Sequence, residues 1–516
     1  MNPHLILPLL IPFSTAILLA FLNGFPRLER ALNLASTAGL TALSFWLLGE
    51  VDRGGIQAMV AGGWFAPWGI AFVADRLACI MLCLSSSVGA LALAYACFSV
   101  EPRQERSFFH PLFQLLLLGV NWAFLTGDLF NLFVAYEVML VASYGMMMVG
   151  ASKRQVRQTL KYIAINSVGS TVFVVCCGLV YATLGTLNMA DIALRSAQLD
   201  GERAALVTAV SMLLMVVFAL KAAAFPVFFW LPDSYPIVPA GLNGYFAGLL
   251  TKVGVYSLLR MFVLCFRQPG AELVLQVLLV LSGFTMLFGV LGALCQWEIR
   301  KILSWHIISQ VGYMVMGIGL AAAGADVAFA AVAATIFYVV HHIVVKASLF
   351  LIGGIAGRVA GTQELRAMGG VIDLAPGVAG LFLVAGFSLA GMPPFSGFFA
   401  KLVLIRAGLA DGQLAIVLVS LVTSLLTLFS MAKIWAYGFW RASSLSAPLA
   451  RHRALMAPAA VLVAFTVAMG LVAEPVLRLA NDAARDVVDP SAYQAAVLVP
   501  VPAPGQPHAA GEGSAR

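Results

Sequence analysis

The stretch from Phe218 to Leu259, FALKAAAFPVFFWLPDSYPIVPAGLNGYFAGLLTKVGVYSLL, decides the fold of this chain. It contains two long apolar segments, and each carries one lysine near its middle, Lys221 and Lys252. A lysine at the centre of a bilayer costs about 2.5 to 3.5 kcal/mol, so it is rare unless it faces a partner, a cavity or an ion path. Two such lysines in succession predict a proton route.

Four prolines lie between the two lysines, in FPVFFWLPDSYPIVP. Proline has no backbone N–H donor, so the first helix is predicted to break or end in this segment. At membrane depth, broken backbone is tolerated only where it is buried in protein or lines water. The segment is therefore a candidate transport site.

The composition of the whole chain indicates a membrane protein. Of its 516 residues, 61% are apolar and only 10% are charged, whereas an ordinary soluble domain carries roughly 25% charged residues. Apolar runs of about twenty residues predict about fourteen spans and an all-α polytopic fold. These spans leave no room for a soluble catalytic domain.

The net charge of +7 is carried largely by short loops between the apolar runs. This distribution follows the positive-inside rule and argues against nucleic-acid binding. The basic loops alternate with the spans, which predicts that they face the cytoplasm and that both termini lie outside. The seven cysteines lie within or at the end of apolar spans without metal-ligand spacing, so we expect no metal, iron–sulfur cluster or disulfide.

The intramembrane lysines suggest an internal repeat. Lys221 and Lys252 are 31 residues apart, Lys401 and Lys433 are 32 apart, and the second pair follows the first by 180 or 181 residues. A second break, GMPPFSG at 391–397, precedes Lys401. The period is five spans, and an odd period inverts the second copy, as in many transporters.

The repeat predicts how the chain is organised. Three peripheral spans occupy residues 1–107, the first five-helix repeat 108–267, and the second, inverted repeat 268–441. A last span follows in 442–480. Residues 481–516 are predicted to be a largely disordered tail, because their end is rich in Pro, Ala and Gly.

Glu137 is the only carboxylate well inside the spans of the first half. A buried carboxylate needs a nearby cation or it binds a proton, and Lys221 is its predicted partner. Movement of Glu137 away from Lys221 would expel a proton toward Lys252. In the eleventh span, His342 and Lys346 are four residues apart and share a helix face.

Each of these residues also has a structural interpretation. The carboxylate and lysines could form structural ion pairs, and His341 or His342 could simply bond a neighbouring carbonyl. Lys433 lies toward a helix end, where a lysine can snorkel to the surface. His306, which follows a basic loop, is predicted to be structural.

These motifs resemble the antiporter-like family that includes the proton-pumping membrane subunits of respiratory complex I and the large subunits of Mrp-type multisubunit cation/proton antiporters. The likeness spans roughly residues 108–440. It rests on LTGDLFNLFVAYEV, LKAAAFPVFFWLPDSYP, AGLLTKVGVYSLLR, HHIVVKASLFLIGG and GMPPFSGFFAK. Within the family, LTGDLFNLFV, the DSYP form and GTLNMADIA are most similar to the D-subunit branch of the Mrp type.

The resemblance implies a hydrophilic axis through the membrane interior, formed by Glu137, Lys221, Lys252, Lys346 with a neighbouring histidine, and Lys401. It also implies a secondary transporter subunit without a redox cofactor, which works with other subunits in the bacterial inner membrane. Proton movement along the axis would be coupled to export of Na⁺ or K⁺.

Two alternatives remain open at this point. The chain could be a proton-pumping subunit of a complex I-like or hydrogenase-like enzyme, in which redox chemistry elsewhere drives the same axis. It could also be a scaffold subunit whose charged line is vestigial.

Overall fold

The computed structural model describes residues 2–442 and 453–498. Within these ranges, twelve helices are long and apolar enough to span a membrane. A shorter apolar helix and one interrupted helix bring the crossings to fourteen, and the predicted all-α polytopic fold is confirmed. In chain order, α1 to α14 are Pro3–Phe21, Pro26–Gly54, Arg76–Ser99, Phe109–Leu125, Leu129–Met148, Lys153–Leu184, Gly201–Ala222, Ala240–Cys265, Ala271–Cys295, Ile299–Ala322, Ala325–Ala360, the interrupted pair Pro376–Ala390 and Ser396–Ala410, Leu414–Trp440 and Arg453–Leu471.

Local side-chain caps explain where several spans begin. The Asp128 carboxylate accepts the backbone N–H of Asn131 (2.8 Å) at the start of α5. At the start of α6, Ser152 and Gln155 form a reciprocal capping box. Such caps satisfy the free N–H groups of a first helical turn. The most deeply enclosed spans are α8 and α10. In their most apolar stretches, 100% and 94% of the residues are buried.

The end of α7 and the interruption of α12 have the same backbone geometry. The helix α7 ends at Ala223 (φ 60°) and the first piece of α12 ends at Gly391 (φ 87°). In each case the second residue after the helix donates its N–H to a carbonyl five residues back, at 2.8 Å and 3.1 Å. This bonding is typical of a left-handed helix end. Both predicted breaks are therefore present, 168 positions apart.

Backbone hydrogen bonds at two loop junctions also repeat. Near the start of α5, Leu129 donates to Leu187 O (2.8 Å) and Met189 donates to Gly127 O (2.8 Å). Near the start of α10 the same pattern recurs, with Ile299 donating to Gln363 O (3.0 Å) and Leu365 donating to Trp297 O (2.7 Å). Five spans separate the two junctions, so they lie at opposite ends of the helices. These contacts favour the predicted inverted repeat.

The lysines do not follow this repeat. Lys221 comes just before the break of α7, whereas Lys401 comes ten residues after Gly391. Lys433 lies at the end of α13, unlike the fully buried Lys252. The lysines are 180 residues apart, whereas the corresponding helix breaks are 168 residues apart. The two spacings differ because a long side chain can reach the same place from different turns of a helix.

A layer of short elements covers the predicted outer ends of the spans. It contains the antiparallel hairpin of β1 (Gln57–Val60) and β2 (Ala71–Ala74), the helix Met189–Ser196, and two helices after the last span, α15 (Glu474–Val488) and α16 (Ser491–Val497). At the tip of the hairpin, Trp64 and Trp68 are exposed, as expected of an interfacial loop.

The region predicted to be a disordered tail differs from expectation up to residue 498. The helix α15 buries Ala483 and Val487, and α16 buries Tyr493. Asp486 also forms an ion pair with Arg76 at 3.0 Å. These contacts depend on residues 410 positions away along the chain, so local composition could not indicate them. The rest of the predicted tail, 499–516, lies outside the described residues.

Candidate functional site

The predicted site residues lie on four spans, α5, α7, α8 and α11, and on the second piece of α12. Glu137 is half-buried on α5. The other members and the neighbouring histidine are buried: Lys221, Lys252, His341, His342, Lys346 and Lys401. Each is held by contacts to an adjacent span or to an irregular turn of its own helix, and these contacts define a line of ionisable groups.

In the first half, Ser170 stands between the predicted partners. The Ser170 hydroxyl donates to Glu137 Oε1 (2.5 Å), and Lys221 Nζ donates to Ser170 Oγ (3.1 Å). Lys221 Nζ also donates to Asn166 O (3.3 Å) and lies over the ring of Tyr136. The carboxylate and the ammonium are therefore connected through a hydroxyl, and the described residues contain no direct ion pair between them.

Lys252 lies beside an irregular turn of α8. The segment Phe246–Leu250 is a π-helical turn, and Lys252 Nζ donates to Ala247 O at 2.6 Å. A π-turn widens the helix and leaves carbonyl groups free, and such turns are frequent at functional sites. The sequence predicted the lysine but gave no signal for this turn, because apolar residues form both helix types.

His342 and Lys346 lie on α11 and face α8 and α10. Lys346 Nζ donates to Leu303 O of α10 (3.1 Å). His342 lies within electrostatic range of both Lys252 and Lys346. Neither ring nitrogen of His342 has a hydrogen-bond partner among the described residues, and buried nitrogens of this kind are expected to bind ordered water. His342 is thus positioned to connect the two lysines.

His341 faces the opposite way, toward the break in α12. Its Nδ1 lies 2.8 Å from Ser396 Oγ, and Ser396 lies 3.2 Å from Ser388 Oγ. The two adjacent histidines therefore have different neighbours, which the sequence could not distinguish. One faces the first half and the other faces the Lys401 helix.

Lys401 reaches back to the broken end of α12. Its Nζ donates to Ala390 O (2.8 Å), to Leu389 O (3.3 Å) and to Ser424 Oγ of α13 (2.9 Å). The last carbonyls of a helix lack intrahelical partners and carry partial negative charge. The break thus forms a cradle of carbonyl and hydroxyl oxygens that holds the Lys401 ammonium inside the membrane.

Lys433 has a different environment. Its Nζ donates to Leu294 O and to Gln296 O, both at 2.7 Å, at the end of α9. It is half-buried and lies over the ring of Trp297. Capping of α9 explains its position and fits the helix-end interpretation.

His306, which is predicted to be structural, has polar and charged neighbours. It is fully buried on α10, its Nε2 lies 2.8 Å from Ser430 Oγ, and it is within electrostatic range of Lys346, Lys401 and Lys433. The signal that could have found it is its place inside an apolar run, seven residues beyond the start of α10.

The arrangement suits proton transfer rather than metal chemistry. Lys252, Lys346 and Lys401 are held by neutral carbonyl and hydroxyl oxygens, which bind an ammonium but do not fix its charge as a carboxylate would. Among the described residues, no cluster of three His, Cys, Asp or Glu side chains could hold a metal.

Comparison with known proteins points to one family. Residues 126–427 match the family described as NADH:quinone oxidoreductase/Mrp antiporter, TM. The chain is similar to the D subunit of a Na(+)/H(+) antiporter from Alkalihalophilus pseudofirmus, with 43% identity over 501 residues, 96% of this chain and 100% of the relative. The D subunit of a Na(+)/H(+) antiporter from Bacillus subtilis is 38% identical, with the same coverage.

Two solved structures are also similar. A chain in the structure of the Mrp complex from Dietzia sp. superposes with a TM-score of 0.89 and 33% identity, covering 96% of this chain and 100% of that one. A chain of the membrane-bound sulfane sulfur reductase, an archaeal respiratory membrane complex, gives a TM-score of 0.87 and 25% identity, with 96% and 99% coverage.

Proposed function

Because this multi-pass membrane chain belongs to the NADH:quinone oxidoreductase/Mrp antiporter family, we propose that it carries protons for a multisubunit antiporter that exchanges them for Na⁺ or K⁺. It is a transporter subunit rather than an enzyme. Its proposed location is the bacterial cytoplasmic membrane, where the proton gradient drives cation export.

One observation carries the proposal. Buried ionisable side chains follow one another from Glu137 through Lys221, Lys252 and Lys346 to Lys401, and three of these lysines lie beside a helix break or a π-turn. Intramembrane charges are costly and are functional by default. Neutral oxygens hold these lysines, so each can gain and lose a proton without breaking an ion pair.

The same row of lysines disfavours passage of the metal cation. A Na⁺ or K⁺ ion moving along it would meet buried ammonium groups, and like charges repel strongly in a low dielectric. A proton carries the same charge, but it travels by binding to the lysines themselves, and each lysine accepts it only when that lysine is neutral. We therefore place the cation route in another subunit or at a boundary between subunits.

The position of Glu137 supports a partner subunit. Glu137 is only partly buried on a membrane-spanning helix, and an intramembrane carboxylate is expensive unless protein or a cavity surrounds it. A neighbouring subunit that covers this face would remove the cost and extend the axis beyond this chain.

The experiment that tests the proposal uses everted vesicles from antiporter-deficient bacteria that express the full operon. We expect Glu137→Gln to slow the dequenching of a pH-sensitive dye on addition of Na⁺ or K⁺ by about tenfold or more, because an amide cannot take up the proton. Blue-native gels report assembly, and Glu202→Gln, at the exposed outer start of α7, is the matched control. Normal exchange by an assembled Glu137→Gln complex would make this chain a scaffold.

Ser170 should tune the rate without being essential. Ser170→Ala removes the hydroxyl that joins Glu137 to Lys221. A hydrogen bond of this kind is worth about 1 kcal/mol, so we expect exchange to slow about fivefold. Ser170→Thr retains the hydroxyl and should keep most of the rate in the same dye assay. Equal rates for alanine and wild type would mean that the bridge is not used.

The second candidate function is proton pumping in a respiratory complex. The similarity to a chain of the archaeal sulfane sulfur reductase complex favours it, but the identity to the antiporter subunits is higher. Purification separates the two, because a respiratory complex would copurify with a soluble iron–sulfur arm.

A further inference from the structure

His306 is a buried titratable group outside the predicted axis. Its ring lies between two hydroxyls, with Nε2 2.8 Å from Ser430 Oγ of α13 and Nδ1 3.5 Å from Ser309 Oγ of α10. A neutral imidazole has one N–H and one unprotonated nitrogen. A hydroxyl can accept a hydrogen bond from the N–H or donate one to the unprotonated nitrogen. The ring can therefore take a proton on one side and release one on the other.

On the interior side, the ring lies beside a series of hydrogen-bonded polar side chains. Gln310 Nε2 donates to Ser309 Oγ (3.3 Å), and Tyr338 OH donates to Gln310 Oε1 (2.5 Å). These bonds fix the orientation of Ser309 beside His306. Lys346 approaches the same part of α10, where its Nζ donates to the carbonyl of Leu303, one turn from His306.

On the other side, α13 provides a row of buried or partly buried hydroxyls. Ser424 accepts a hydrogen bond from Lys401 (2.9 Å), Thr427 follows one turn later, and Ser430 contacts His306. The row runs toward the predicted cytoplasmic end, where Lys433 caps α9. Ser424, Thr427 and Ser430 thus follow one another at three-residue spacing between the Lys401 cradle and Lys433.

A polar cavity lies at that end. Its volume is about 170 Å³, and it is lined by residues that include Gln296, Lys301 and Trp305. The backbone carbonyl of Gln296 accepts a hydrogen bond from Lys433 (2.7 Å), and Trp305 directly precedes His306. The cavity thus adjoins Gln296, which Lys433 contacts, and Trp305, the chain neighbour of His306.

We propose that His306 is a proton relay that connects Lys401 with the cytoplasm through the hydroxyls of α13, a branch distinct from the Glu137–Lys221 end of the axis. This inference rests on the proposed function. An unprotonated Nδ1 takes, on the Ser309 side, a proton that Lys401 has released through hydroxyls and water. The Nε2–H then gives its proton to Ser430, toward the Lys433 end, and the ring is left neutral in its other tautomer. During antiport, this branch delivers protons to the cytoplasm.

The test is His306→Gln in the full complex, measured in everted vesicles whose outer medium is the cytoplasmic face. Glutamine retains hydrogen-bond donors and an acceptor, but it cannot exchange protons between its two ends. We expect exchange to slow about tenfold or more and the solvent isotope effect in D₂O to rise, with the complex intact on blue-native gels. A merely structural histidine predicts that glutamine keeps both the rate and the isotope effect.

The matched control is His110→Gln. His110 is also a buried histidine, but it lies on α4 and contacts Asn33 (2.8 Å) and Glu105 (2.9 Å), away from the axis. We expect normal exchange from its assembled complex. Ser430→Ala is the second test, because it removes the hydroxyl on Nε2 and should slow exchange while leaving assembly intact. If the His306 variant does not assemble, the serine variant decides alone.

The outcomes separate this inference from the proposed function. Loss of exchange in Glu137→Gln together with a normal rate and isotope effect in His306→Gln would overturn the relay only. Normal exchange in both assembled variants would overturn the proposed function as well.

Discussion

Lys221→Met should abolish cation-driven proton release, reducing the initial rate about 100-fold or more, while the complex stays assembled. Methionine retains the length and apolar character of the lysine stem, so packing in α7 is preserved. It cannot carry a proton, and Ser170 and Asn166 lose the ammonium that contacts them. Since Lys221 is the first lysine of the proposed axis after Glu137, its loss interrupts the line at its beginning.

Lys221→Arg sharpens this test. Arginine retains the positive charge but does not release its proton at physiological pH. We expect the same loss of exchange, which shows that the proton rather than the charge is required. The control is Lys153→Met, at the exposed cytoplasmic start of α6. The dye assay in everted vesicles provides the rates. Exchange above half the wild-type rate in an assembled Lys221→Met complex would contradict the role of the axis.

Asp75→Ala should remove this chain from the complex. Asp75 and Arg260 are both buried, and two short hydrogen bonds of 2.5 Å join the carboxylate to the guanidinium. Arg260 also donates to Tyr256 OH (3.0 Å) and lies under the ring of Tyr493 of α16. Removal of one partner leaves a buried charge unpaired, which costs about 3 to 5 kcal/mol.

We expect less than about a tenth of the wild-type amount of assembled chain on blue-native immunoblots, since about 1.4 kcal/mol corresponds to a factor of ten. Asp52→Ala is the control, because Asp52 is exposed and Arg76 retains its bond to Asp486. Pairing Asp75→Ala with Arg260→Met removes both charges and should restore part of the assembly. Normal assembly of the single variant would show that water reaches Arg260.

The positions of the charged residues could be predicted from the sequence, but their contacts could not. A lysine in an apolar run is visible from composition alone, and Lys221 and Lys252 are indeed buried on neighbouring spans. Ser170 could not be selected, because a serine costs little in a span and gives no signal until α5, α6 and α7 are packed together.

Two further differences have the same origin. His306 follows a basic loop and is predicted to be structural, but its complete burial on α10, which other spans enclose, could not be inferred from that position. The repeat was inferred from lysine spacing, whereas the structure repeats helix breaks and loop hydrogen bonds. Long side chains at different chain positions can reach the same place, so their spacing is a poor measure of a repeat. Helix breaks and backbone hydrogen bonds are fixed to their chain positions and measure it better.

The Asp75–Arg260 pair also has a consequence for biosynthesis. The two residues are 185 positions apart, and ribosomes add about 5 to 20 residues per second, so the carboxylate is made about 10 to 40 s before its partner. Tyr493, which covers the pair, is made later still. A half-synthesised chain therefore carries an uncompensated acid at the membrane. The ion pair can therefore close only after Arg260 has been made, and the ring that covers it is added last.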